Sequence, residues 1–169
     1  MTSQTQLEIT HAGRGLVMAT FGAISVALWQ IKPTLSLFEI QREGLAAVVR
    51  KHPGRAAFLC IVQTSADPPD QEIRNASTQM ITGHGPNLAA VACVIEGSGF
   101  RAAITRTVLT GIVFVIRNPQ PFRFLETVEA ASDWLATRLG SRSVFGLAEQ
   151  VAKARQGLSE AERRVTMTA

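Results

Sequence analysis

Apolar and polar residues alternate along this chain in two distinct rhythms. Leu7–Thr10 and Leu16–Phe21 are β-favourable, and Ile24, Val26 and Leu28 recur with a period of two. This predicts a short strand, a turn at His11–Gly15, and then strand structure up to Trp29. Gly22 fits either a bulge in one long strand or a turn between two, so the pattern leaves that choice open. From about Thr34 to His52 the period becomes helical, with Phe38, Leu45, Val48 and Val49 on one face. Pro53-Gly54 ends that helix. Ala56–Val62 and Leu88–Ile95 are near-continuous apolar runs, the signature of strands covered on both faces, as in a parallel sheet. Between them Ile73, Ala76, Ser77, Met80 and Ile81 form a helical stripe, capped by Asp67 or Asp70.

Gly97-Ser98-Gly99 opens a third helix near Phe100, although the β-branched tail Ile112–Ile116 would also suit a strand. A short strand at Phe122–Leu125 and a helix capped by Thr127, with Val128, Ala131, Leu135 and Leu139 on its apolar face, complete the pattern. A last helix is expected over Val144–Arg155, followed by a polar tail. The expected architecture is therefore α/β: a mixed sheet of five or so strands, an N-terminal hairpin followed by parallel strands with right-handed crossovers. The expected division is a frayed tail at 1–6, an α/β domain at 7–140 and a C-terminal helical extension at 141–169.

This order of elements resembles a STAS-type domain, the fold of bacterial anti-sigma factor antagonists. Gly99-Phe100-Arg101 after the fourth strand and Ala130–Leu135 (AASDWL) in the late helix resemble a group of uncharacterised bacterial STAS-like proteins. The resemblance implies a cytoplasmic interaction module involved in signalling. Antagonist STAS domains carry a phosphorylatable serine in an Asp-Ser-Ser-Gly-type motif. The equivalent stretch here, Ser65-Ala66-Asp67-Pro68-Pro69-Asp70, has no Ser-Gly pair, so control by phosphorylation does not carry over.

Composition narrows the picture without naming an activity. At 169 residues, with 46% hydrophobic and 18% charged side chains, the chain has the size and apolar content of one packed domain. Its net charge is +4, and residues 1–100 balance, so the excess lies in 101–169. Only Lys32, Lys51 and Lys153 are lysine; the other basic residues are arginine, a preference associated with GC-rich bacteria. The arginines of the second half are scattered without interleaved aromatics, so a nucleic-acid surface is not expected. The charge-free run Gly15–Ile31 falls short of the ~20 residues of a membrane span and reads as strand. Cys60 and Cys93 sit in apolar runs and read as buried free thiols of a reducing compartment.

Candidate chemistry is sparse. Gly97-Ser98-Gly99-Phe100-Arg101-Ala102 fits a GxGxxA pattern, but no acidic residue follows at ribose-binding distance, and a tight strand–helix turn is the preferred reading. The loops Thr64–Asp70 and Glu96–Gly99 should lie side by side at the carboxyl ends of neighbouring strands, each leading into a helix N-terminus. Ser65, Asp67, Arg74, Ser98, Gly99, Arg101 and Arg106 are therefore the candidate residues for an anion or partner loop. No serine elbow, metal-ligand spacing or carboxylate pair emerges, and His84 reads as a turn residue. The expectation is a non-enzymatic regulatory or scaffolding module without cofactor or metal, contacting a protein partner or a second copy of itself. The alternative is a small-molecule or lipid-binding domain, motivated by the apolar Phe100–Ile116 helix and by the kinship in shape between STAS-like folds and CRAL-TRIO-type lipid carriers.

Overall fold

The computed structural model describes residues 5–115 and 121–168, with the backbone alone for Phe100, Arg101, 112–115, Ala161, Val165 and Thr168. Strands β1 (Leu7–Gly13), β2 (Leu16–Phe21) and β3 (Ile24–Trp29) form an antiparallel meander. Helices then alternate with strands: α1 (Leu35–Lys51), β4 (Ala56–Val62), α2 (Gln71–His84), β5 (Leu88–Ile95), α3 (Phe100–Val115), β6 (Phe122–Leu125), α4 (Val128–Leu139). A short α5 (Ser141–Val144) and a long α6 (Leu147–Thr168) end the chain. The six strands lie in the order β1-β2-β3-β4-β5-β6, parallel from β3 onward.

Local chemistry sets these boundaries. Gly22 has φ +56°, and no described non-glycine residue has positive φ. Phe21 pairs with Ile24 across the two-residue loop Gly22-Ala23, the pattern of a type II′ hairpin turn with glycine first. Gly22 is thus a turn between two strands. β1 continues through His11, Ala12 and Gly13, past a register shift at Thr10, so the turn expected at His11–Gly15 contracts to Arg14-Gly15. Thr34, Asp70 and Thr127 cap α1, α2 and α4 through their side-chain oxygens, accepting from Leu37, Ile73 and Ala130. The last helix, α6, begins at Leu147 and continues through the polar tail to Thr168, past the end expected at Arg155. Residues 112–115 are helical, while Ile116 lies outside the described residues.

Sequential strand order with right-handed crossovers places α1, α2 and α3 on one face of the sheet. On that face Leu16, Trp29, Phe58 and Val91 meet Phe38 and Leu45 of α1 and Ile73, Met80 and Ile81 of α2. After edge strand β6 the chain crosses over, and α4, α5 and α6 cover the opposite face. There Phe21, Ile24, Leu59, Ile61 and Val94 pack on Leu135, Val144, Leu147 and Val151. The strands β3 to β5 are buried on both sides, which explains the near-continuous apolar runs of β4 and β5.

The C-terminal extension is part of this packing. Arg155 of α6 makes a two-pronged ion pair with Glu96 at the end of β5, at 2.5 and 2.8 Å. Gln150 accepts from the Leu7 backbone N–H and donates to the Thr5 carbonyl, fastening the N-terminal end of edge strand β1 to α6.

Candidate functional site: an apolar cleft beneath three helices

The α1–α3 face of the sheet is incompletely filled. A cleft of about 80 Å³ opens between the sheet and the three helices. Trp29, Phe58, Val62, Cys60, Val91 and Cys93 form its floor, and Phe38, Ile73, Ser77, Met80 and Leu109 come from the helices. Pro33, Ala66, Asp67 and Pro69 contribute from the loops at the carboxyl ends of β3 and β4, and Phe122 and Phe124 from β6. Alternation along each strand explains the floor: Phe58, Cys60 and Val62 project to one side of β4, and Ala57, Leu59 and Ile61 to the other.

Gln41, Asp67 and Ser77 are the polar side chains of this largely apolar lining, and Gln41 is the buried one. Gln41, 4% exposed on α1, accepts a hydrogen bond from the Trp29 indole N–H at 2.6 Å. Its amide nitrogen lies 3.8 Å from the Met80 sulfur, a weak acceptor. An amide nitrogen carries two N–H groups, and the Met80 sulfur is a partner for one of them. Burying such a group is unfavourable unless it finds partners, by about 1–3 kcal/mol. The stripe-based reading of α1 named Phe38, Leu45, Val48 and Val49 and passed over Gln41. The available signal was its spacing, three residues after Phe38 and four before Leu45, which places an amide on the buried face.

The two thiols are register partners across β4 and β5. Both are free. Contact with the Cys60 sulfur, with burial added, pushes the Cys93 thiol well above its ordinary range. Cys60 is only half-buried, whereas the sequence suggested two buried thiols.

The residues expected to form an anion loop have diverse surroundings. The Thr64 and Gly97 loops do lie side by side: a Cβ on Gly97 would meet the Thr64 methyl at 2.5 Å, and Gly97 has φ +92°. Ser65 donates to the Gln30 carbonyl at 2.8 Å and so pins its loop to the end of β3. Asp67 is at the cleft. Asp70, not Asp67, caps α2, and its carboxylate stands 3.9 Å from Lys32. Arg74 donates to Gln71 at 2.6 Å and borders a groove between α2 and α3 with Thr78 and Thr107. Arg106 stands 3.9 Å from Glu126. Ser98 and Gly99 are exposed, and Gly99 has φ +94°. The Arg101 side chain lies outside the described residues.

Among the described residues no group of three or more His, Cys, Asp or Glu side chains is placed to hold a metal ion, and no helix is long and apolar enough to cross a membrane. His84, at the end of α2, is held below the ordinary imidazole range by partial burial.

No protein-family model matches the chain, and no curated protein matches it. Among solved structures it is similar to an uncharacterised protein of the DUF3478 family from Shewanella loihica PV-4, described as having a SpoIIAA-like fold. The two are 16% identical, the match covers 80% of this chain and 98% of that one, and the TM-score is 0.48. The likeness is one of fold.

Proposed function

We propose that this domain is a non-enzymatic binding module whose α1–α3 cleft takes a small apolar molecule bearing one hydrogen-bond acceptor. The observation that carries this reading is the pairing of an apolar cavity with the buried Gln41 amide. Ligand sites are concave and mostly apolar, with a few polar groups that fix orientation. A ketone, ester or amide oxygen would accept from Gln41 while its hydrocarbon part covers Trp29, Phe58 and Leu109. Of the other polar side chains in the lining, Ser77 donates its hydroxyl to the Ile73 carbonyl, and Asp67 is exposed. The α3 helix forms one wall, so an occupant that changes its seating would carry a signal to the surface.

Calorimetric titration with a short-chain methyl ketone such as 2-pentanone and the matching hydrocarbon tests this. The ketone should bind about two- to tenfold more tightly, since a hydrogen bond is worth ~0.5–1.5 kcal/mol net. Gln41→Leu should remove the difference. Equal binding of both by the native protein, or binding of neither, would refute the reading.

A regulatory or scaffolding role through protein contact is a second reading. It is supported by Phe145, 71% exposed at the α5–α6 corner, and by the exposed Ile31 and Leu35 beside the start of α1. In its homodimer form it predicts a sedimentation coefficient that rises with concentration and falls back in Phe145→Ser.

A further inference from the structure

Cys60 and Cys93 occupy paired positions on adjacent parallel strands and line the same cleft. Side chains so paired leave the sheet on one face, and neighbouring strands lie about 4.8 Å apart. That spacing falls inside the ~4.4–6.8 Å between Cα atoms that a disulfide spans. The two sulfurs differ in access: Cys93 is 5% exposed, whereas Cys60 is half-buried. The outer thiol is placed to meet a reagent entering the cleft, and the inner one to meet whatever forms on the outer.

We propose that Cys60 and Cys93 form a redox-active dithiol that an apolar alkyl hydroperoxide, entering the cleft, oxidises to a cross-strand disulfide. Cys60 first releases its proton to water. Its sulfur attacks the terminal oxygen of the hydroperoxide; an S–O bond forms, the O–O bond breaks, and the alkoxide takes up a proton and leaves as the alcohol. The Cys93 sulfur then attacks the Cys60 sulfenic acid; an S–S bond forms, the S–O bond breaks, and hydroxide leaves with the Cys93 proton as water. Two electrons pass from the sulfurs to the hydroperoxide, and two hydrogens leave the protein. A low-molecular-weight dithiol reverses the change. Parallel pairing holds the Cβ atoms near the strand spacing, wider than the ~3.8 Å mean of relaxed disulfides, and a strained bond is the more easily reduced. The apolar walls of Phe58, Val91 and Leu109 select a hydroperoxide with a hydrocarbon body.

The test uses the full chain, reduced, freed of reductant and exposed to tert-butyl hydroperoxide. After an acid quench, the protein is denatured, alkylated and weighed intact. The expected product is lighter by two hydrogens, accepts no alkyl label, and yields a Cys60–Cys93 linked peptide; dithiothreitol restores both labels. In Cys93→Ser the sulfenic acid on Cys60 has no resolving thiol and is trapped by dimedone, while Cys60→Ser gives neither product. A treated native chain that labels at both cysteines, or that links only between copies, overturns the proposal. The reaction uses the same cleft as the ligand reading, but it is read from the cysteine pair and not from ketone binding, so the two fail separately.

Discussion

The two faces of the central sheet are built from the same strands but are packed in different ways. On the α4–α6 face, Phe21, Leu59, Leu135 and Leu147 are shut off from solvent, and the helices bring mainly aliphatic side chains and one indole, Trp134. On the α1–α3 face, aromatic rings and sulfurs surround a space, and a buried amide stands in its wall. Protein interiors are normally filled to crystal-like density, so an unfilled apolar region forgoes stabilisation. The difference teaches where packing is spent: one face is filled and holds the fold together, and the other leaves an apolar space beside a buried amide.

The sharpest way to break that comparison is to cut into the filled face. Leu147→Ala should cost about 2–5 kcal/mol in urea unfolding and leave ketone affinity unchanged, because α6 docks far from the cleft. A loss below about 1 kcal/mol would mean that α6 is a loose appendage.

Enlarging a side chain on each face sharpens the contrast. Ala131→Leu forces extra volume into a closed core and should cost about 1–3 kcal/mol. Ser77→Leu grows into the cleft and should stay within about 1 kcal/mol of the native chain while abolishing ketone binding.

A smaller effect is expected at the seam between β5 and α6. The Glu96–Arg155 pair is partly screened, with side chains 22% and 30% exposed. Arg155→Met should cost about 1–2 kcal/mol, between the values of exposed and buried pairs, and a double-mutant cycle with Glu96→Gln should recover most of it.

The smallest concerns His84, whose depressed titration favours the neutral ring in the folded chain. Its contribution is present in full above the ordinary imidazole range and is lost as pH falls through the depressed value. His84→Gln should therefore flatten the acid side of the stability profile slightly and leave the neutral side unchanged.

Much of this arrangement could be read from the residues before any coordinates. The α2 stripe of Ile73, Ala76, Ser77, Met80 and Ile81 and the apolar runs of β4 and β5 each have one geometric solution. Gly22 was ambiguous because positive φ serves a bulge as well as a turn; cross-strand pairing of Phe21 with Ile24 decides it. The end of α6 escaped notice for a different reason. Beyond Arg155 most side chains are exposed, so the last turns rest on helix propensity and local pairing rather than on a buried stripe. The cleft was hidden more deeply. An apolar pattern reports which residues turn inward, not whether their volumes fill the space between layers. The Cys60–Cys93 pairing likewise depends on strand register, which no spacing along the chain encodes.

The two tryptophans divide between the two faces, Trp29 at the cleft and Trp134 beneath α4 with Arg138 at 5.6 Å from its ring centre. Fluorine NMR of the 5-fluorotryptophan-labelled protein therefore tests the central claim directly, with the resonances assigned by Trp29→Phe and Trp134→Phe. Titrated with a short-chain methyl ketone, the Trp29 resonance should move and saturate while that of Trp134 stays in place. A Trp29 resonance that does not move, or two that drift together without saturating, would contradict a ligand site in the cleft.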